Sequence, residues 1–351
     1  MAMADPISGQ ALSLLDIARA TGADGKYVEI IEILNEVNPI LMDLRSMPAN
    51  NGLVHIGGVR TSLPEGTYRA FYQGIESEKA VVTQFQENCA MLESFAEPDA
   101  ALIDLHRNRG DIMVQQNKAF IEGLGQKQAR TIFYGDPTNE PNAFRGLSPR
   151  YNAYGYTPGT GVEGGVDRHF YPYNVINMGG TGTDLTSLWA IEFGADQVFG
   201  IYPSTSAAGL QHEDMGKQIT HDSSGKQFVT YLQHYKWMMG LCVADWRSAV
   251  RVCNIDLSAY SGVITDADAA ALSNVVYDAI ERLPHGGRGA AIYCPRRLHT
   301  AFNKIAAQKF NLALTLAQWN GEVLPSVNGM MFKACDAIAE HETAVAAYVA
   351  A

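Results

Sequence analysis

Between Asp111 and Tyr134 the chain holds one long helical stretch, and the segments around it have to be arranged so as to cover it. Ile112, Met113, Phe120, Leu124 and Ile132 fall close to one stripe at three- and four-residue spacing, with Gln, Lys and Asn between them. Asp111 offers a carboxylate to the unpaired amides of the first turn, and Gly135 and Pro137 stop the helix. Gly123 and Gly125 lie inside it, each at a cost of about 1 kcal/mol relative to Ala. A helix carrying two glycines packs close to another backbone or bends. The extended segments on either side predict a sheet beneath its apolar stripe.

With 351 residues the chain is long enough for one large domain or two to three interleaved ones. Charged residues make up 18% and hydrophobic ones 47%, so apolar and neutral surface has to be hidden, and subunit interfaces are the usual place. The net charge of −11 argues against a surface built to grip nucleic acid. Cys89, Cys242, Cys253, Cys294 and Cys335 are odd in number, scattered and without a CxxC pair, which fits buried reduced thiols in a cytoplasmic product. Neither a secretory leader nor a bilayer-crossing run is read from the sequence.

Residues 1–50 read as an arm with short helices at 11–20 and 27–34. Its acidic residues (Asp5, Asp16, Asp24, Glu29, Glu32, Glu36, Asp43) outnumber Arg19, Lys26 and Arg45, a poor balance for binding DNA. Residues 51–85 read as a long hairpin turning at Leu63-Pro64-Glu65-Gly66, with the segment from Thr67 onward as the returning arm. Arg60, Arg69 and Lys79 face Glu65, Glu76 and Glu78, and these six are the candidate subunit-interface residues. A two-stranded ribbon of this kind is marginal alone, so it is expected to lie on a neighbouring copy.

An extended piece from Phe85 and the stretch 94–105 lead into the helix. Residues 136–167 are loop, rich in Gly, Pro and Asn. Two strands flank the turn at 194–196. The alternation of Tyr235, Trp237, Met239, Leu241 and Val243 marks 226–255 as the strongest sheet signal. Residues 266–283 form an amphipathic helix. After Pro295 comes another that bears Leu298, Phe302, Ile305 and Phe310, and a last strand within 328–338 precedes an alanine-rich tail.

No motif carries chemistry. The glycines 159, 161 and 164 match the dinucleotide spacing, yet they follow no strand and open no helix. His212-Glu213-Asp214 is a compact set of possible metal ligands with no distant third partner, and a solvated turn explains it. Asp245, Arg247 and Arg251 beside Trp246 suit a structural ion pair within the strand. The expected catalytic, cofactor-binding and metal-binding sets are therefore empty.

The stretches IEILNEVNPIL (31–41), RTIFYGD (130–136), FRGLSPRY (144–151), GGTGTDLTSLW (179–189), FGIYP (199–203), GLQHEDMGK (209–217) and the long run 234–256 give the chain its closest likeness. It resembles the major capsid proteins of tailed bacteriophages, and within them those of a group of short-tailed phages. The resemblance implies the α+β Johnson fold: an N-terminal arm (1–50), an extended E-loop hairpin (51–85) and a peripheral domain with a long spine helix (86–139). Residues 140–351 then comprise the axial domain plus returning peripheral strands. It further implies a non-enzymatic subunit that self-assembles into the pentamers and hexamers of an icosahedral virion shell around double-stranded DNA, built in the host cytoplasm. The implied partners are further copies of the chain, a separate scaffolding protein, a portal, a decoration protein and packaged DNA touched weakly on the inner face, with no membrane. Gly123 and Gly125 are the candidate hinge of the spine during maturation. The alternatives are a cellular nanocompartment of the same fold and a cytosolic oligomeric enzyme.

Overall fold

The computed structural model describes residues 36–64, 66–105, 109–155, 171–222, 224–307, 315–319, 322–327 and 329–349. The expected helices at 11–20 and 27–34, the glycine loop at 159–164, Glu65 and Phe310 lie outside them. The chain divides into two units. One comprises Met1–Glu36, Met91–Gln128 and Ala207–Met238, and the other Val37–Ala90, Ala129–Ser206 and Met239–Ala351.

The helical elements are α1 (Ile40–Asp43), α2 (Ala100–Asp104), α3 (Arg109–Tyr134), α4 (Asp266–Glu281) and α5 (Arg296–Ala307). The early strands are β1 (Ser46–Pro48), β2 (Val54–Ser62), β3 (Val81–Asn88), β4 (Ala90–Ala96), β5 (Ala153–Tyr154), β6 (Val175–Asn177), β7 (Leu185–Glu192) and β8 (Val198–Tyr202). The later ones are β9 (Leu210–His221), β10 (Gln227–Val243), β11 (Ala249–Asp256), β12 (Ala290–Cys294), β13 (Thr315–Trp319), β14 (Glu322–Val327), β15 (Met330–Ala334) and β16 (Ala346–Ala347).

In the first unit the predicted helix-on-sheet arrangement is present. β10 lies beside β4 and pairs antiparallel with β9, from Gln227↔His221 to Trp237↔Leu210, with a register shift between Leu232 and Gln233. The period-two pattern of β10 turns Tyr231 and Tyr235 toward the helices. Tyr231 packs with Ala100, Ile103 and Ile112, and Tyr235 with Ala96 and Leu124. The Phe120 ring stacks on Tyr235 at 5.2 Å, and the Tyr235 hydroxyl donates to Asn117 Oδ1 at 2.5 Å. These are the apolar positions that the helical spacing singled out.

The second unit is built on a seven-stranded mixed sheet ordered β13-β14-β15-β12-β7-β11-β6. The interior strand β7, between β12 and β11, is buried at every position, which is why its sequence shows no alternation. On one face Leu188, Ala190, Val250 and Val252 meet Leu272, Val276 and Ile280 of α4 and Leu298 and Phe302 of α5. Thr265 caps α4 by accepting from the Asp268 amide at 3.2 Å, while its hydroxyl donates to the Asp268 carboxylate at 2.6 Å. On the opposite face Trp189 packs against Phe133 and Tyr151.

The end of α3 is closed by the segment that follows it. The amides of Gly146, Leu147 and Ser148 donate to the carbonyls of Gly135, Ile132 and Phe133 at 2.7, 2.9 and 2.7 Å, satisfying groups that a helix end leaves open. A Cβ at Gly135 would run into the Phe144 carbonyl, and one at Gly146 into the Thr131 carbonyl. Glycine is thus required at both positions by backbone approach.

Four expectations are corrected. The signal at 226–255 resolves into two strands, because Asp245 accepts from the Arg247 amide and caps a short 3₁₀ turn, Trp246–Ser248, between them. His212–Asp214 lies inside β9 and not in a turn. The returning arm of the hairpin pairs only from Val81 onward, so residues 67–80 form no strand. The alanine-rich tail is braced by β16, which pairs parallel with β5.

Candidate assembly interface

The hairpin of β2 and β3 has a fixed base and an exposed end. From Val54↔Asn88 to Ser62↔Val81 the strands pair antiparallel, and His55, Gly57, Phe85 and Glu87 share the inward face. Phe85 crosses Gly57 where any side chain would stand, and packs against Phe199, Ile201 and Cys242. His55 meets Phe199 edge-on at 5.4 Å. Glu87 receives two bonds from Arg150, from Nη1 at 2.5 Å and Nη2 at 2.7 Å. Burial opposes the charge on Arg150, and Glu87 more than reverses that, holding the guanidinium above its ordinary range. Arg150 also donates to the Gly146 and Arg145 carbonyls, each at 3.1 Å. A buried bidentate pair of this kind fixes direction as well as attachment.

Beyond Ser62 the ribbon leaves the body. Leu63, Tyr68, Phe71, Tyr72 and Ile75 are exposed, the three aromatic rings almost completely. A backbone bond from the Gln73 amide to the Ala70 carbonyl at 3.3 Å closes a turn, and Arg69 Nη1 donates to the Gln73 carbonyl at 3.1 Å. Tyr72 sits within it at φ 68°, a left-handed conformation that bulky residues seldom adopt. This aromatic end escaped the sequence reading, which assigned 67–85 to a returning strand. The signal was present: three aromatics in five residues between Gly66 and Gly74, with no alternation to bury them.

The charged candidates behave differently from one another. Arg60 is exposed and lines a groove of about 770 Å³ at the hairpin base, together with Asp196, Asp245 and Arg247. Arg69 serves the 70–73 turn, and Glu78 Oε2 accepts from the Gly66 amide at 3.0 Å, so both shape the loop. Glu76 and Lys79 are exposed within it. Among the described residues no ion pair joins two of these side chains. Glu65 lies outside the described residues.

Gly123 and Gly125 lie in α3, and among the described residues nothing stands within 4 Å of where a Cβ would be, so close packing against described backbone does not account for them. His212 Nε2 donates to Gln233 Oε1 at 2.5 Å, and the ring stacks on Tyr235. Among the described residues no group of three His, Cys, Asp or Glu is placed to hold a metal. The Asp245, Arg247 and Arg251 trio separates. Arg247 pairs with Asp245 at 2.8 Å near the surface. Arg251 is buried, bonded to Glu342 at 2.9 Å and to Ser187 at 2.9 Å. Glu342 also accepts from the hydroxyls of Tyr134 and Ser187. Burial pushes the thiols of Cys89 and Cys253 up to about 11 and that of Cys242 to about 12.

A family model described as major capsid protein GP7 matches residues 22–346. A chain in the structure of bacteriophage Epsilon15 is similar at a TM-score of 0.72 and 26% identity, covering 97% of this chain and 98% of that one. The capsid of bacteriophage JBD30 is similar at 0.45 and 13% identity, covering 78% and 86%. The SrpI encapsulin of Synechococcus elongatus is similar at 0.44 and 13% identity, covering 72% and 100%. No curated protein matches the chain.

Proposed function

The chain belongs to the family of major capsid protein GP7, and from that premise we propose that its copies close into an icosahedral phage head of pentamers and hexamers around double-stranded DNA. Its fold is the α+β Johnson fold of phage capsid subunits. In our reading residues 1–50 are the arm, 51–85 the E-loop, 86–139 the peripheral domain with its spine α3, and 140–351 the axial domain plus returning strands. A scaffolding protein, a portal and a decoration protein act as separate partners. The finished shell is the protein's location, and assembly takes place in the host cytoplasm.

The observation that carries this reading is the hairpin, whose base is locked by Glu87 and Phe85 while its aromatic end has no core to enter. A second copy supplies what the chain itself does not. Arg60, Arg69, Glu76, Glu78 and Lys79 give register on that copy more than affinity, since exposed pairs contribute about 0–1 kcal/mol each. Electron microscopy of the chain, expressed alone and with its neighbouring gene products, tests the reading. Closed shells, or rings of five and six, support it; a small oligomer that never assembles under any condition overturns it. Subunits with Arg60→Glu and Arg69→Glu should fold and fail to assemble, and normal shells from them would remove the charge role.

A further inference from the structure

We propose that Asn51 is a site of spontaneous modification: the backbone nitrogen of Gly52 displaces its side-chain amide, and the turn at the root of the hairpin converts with time to aspartate and isoaspartate. The reaction needs only one chain, so it is independent of the shell reading above.

The chemistry is that of an asparagine followed by glycine. Once solvent base has taken its proton, the Gly52 nitrogen attacks Asn51 Cγ. The Cγ–Nδ2 bond breaks, the nitrogen leaves as ammonia, and a cyclic imide joins the two residues. Water then opens the imide, at Cγ to give aspartate or at the Asn51 main-chain carbonyl to give isoaspartate. Water and base are the only co-reactants. A side chain on the second residue would crowd the attacking nitrogen, and glycine brings none.

The structure leaves both reacting groups open. Asn51, Gly52 and Leu53 are exposed, so solvent reaches the turn. The Asn51 amide donates to the Val54 carbonyl and the Val54 amide to the Asn51 carbonyl, both at 3.0 Å, so the turn is closed without using either group. Among the described residues neither the Asn51 carboxamide nor the Gly52 amide makes a hydrogen bond. A Cβ at Gly52 would meet none of the described residues within 4 Å, so the approach to its nitrogen is clear. Gly52 stands at φ 63°, where a side chain is strained, so the turn itself keeps the glycine in place. Asn50 is the internal contrast. Its Nδ2 donates to the Ile56 carbonyl at 2.7 Å, its Oδ1 accepts from the Ile56 amide at 2.8 Å, and no glycine follows it. Of the other Asn-Gly pairs, Asn320 with Gly321 and the asparagine of Asn328-Gly329 lie outside the described residues.

Isoaspartate reroutes the main chain through Cβ and Cγ and turns the former Asn51 carbonyl into a carboxylate. The turn lengthens, and the Val54 pairing is lost where β2 begins, next to Leu53, whose carbonyl accepts from the Cys89 amide at 2.9 Å. The root of the hairpin therefore loosens as the chain ages.

Peptide mapping of the folded, unassembled full-length chain tests the site. The chain is kept warm at mildly alkaline pH, sampled over time and cut with trypsin, which releases residues 46–60 between Arg45 and Arg60. Fragmentation mass spectrometry places the amide-to-acid mass gain at Asn50 or Asn51, and an isoaspartyl methyltransferase labels the isoaspartate. Conversion at Asn51 should be at least roughly tenfold faster than at Asn50 and within roughly tenfold of the free 46–60 peptide, because the fold adds no barrier at this turn. Conversion of both asparagines at one rate, conversion of Asn51 only after denaturation, or none at all overturns the site. In Asn51→Gln, whose longer side chain closes the ring far more slowly, residue 51 should keep its amide. Hydrogen exchange at Val54 should quicken in the aged parent and not in aged Asn51→Gln, and equal exchange in the two would overturn the loosening.

Discussion

Replacing Arg150 by Met should loosen the hairpin from the body by an amount that follows from its surroundings. The side chains of Arg150 and Glu87 are 2% and 13% exposed, so water screens neither. Met fills most of the space of the guanidinium stem but leaves the Glu87 carboxylate buried without its two donors. Breaking a buried pair from one side costs about 3–5 kcal/mol, whereas replacing both partners by apolar groups is often neutral. At about 1.4 kcal/mol per tenfold, amide exchange across Val54–Ser62 and Val81–Asn88 should accelerate by roughly two to three and a half decades. The assay is hydrogen exchange on unassembled subunits, read peptide by peptide, with α4 as the internal reference. The double variant Arg150→Met, Glu87→Met should recover most of the protection. An acceleration below tenfold in the single variant, or a double variant no better protected, would refute the claim that this pair anchors the hairpin.

Gly123→Ala and Gly125→Ala should each stabilise the subunit by about 1 kcal/mol in denaturant titration, because their Cβ atoms meet none of the described residues. If α3 bends there during maturation, the double variant also expands more slowly; unchanged expansion kinetics would remove the hinge role. Gly57→Ala should destabilise the hairpin base by about 1–3 kcal/mol, since its methyl group would meet the Phe85 ring; calorimetry on subunits reads this. Burial opposes the charge on Asp336, but Arg296 at 2.6 Å and the Val37 amide at 2.8 Å hold its carboxyl below the ordinary 3.8. A depressed folded value means a contribution present above that pH and lost as pH falls through the depressed value, so Asp336→Asn should flatten the acid limb below about pH 4 in a pH series of unfolding midpoints. The thiols of Cys242 and Cys253, pushed up to about 12 and 11, should resist alkylation at pH 8 until the subunit is unfolded, and rapid native labelling would contradict their burial.

Elements whose environment is set by near neighbours were legible. The helix at 111–134 announced itself through Ile112, Phe120, Leu124 and Ile132, and the structure buries Ile112, Leu124 and Ile132. α4 was legible from its repeat. β9 was not, because its residues are mostly exposed on both faces and carry no alternation to detect. Arg251 and Glu342, ninety-one positions apart, gave no sign of each other, and Arg251 was assigned to the wrong partner. The hairpin was anticipated as a ribbon that needs support, but its support is divided. The base rests on Phe199 and Arg150 of its own chain, and the end beyond Ser62 is exposed.

Local sequence by itself determined where helices start and stop, which residues line their inner stripes, and that the chain holds more apolar surface than its charges can cover. These follow from periodicity, capping and composition, which act over a few residues or over the whole chain at once. Tertiary structure alone decided which carboxylate meets which guanidinium, that Gly57 and Gly146 give way to a ring and a carbonyl, and that Tyr68, Phe71 and Tyr72 face solvent. Those outcomes depend on segments brought together from distant positions, and no short window of sequence carries both halves of such a contact.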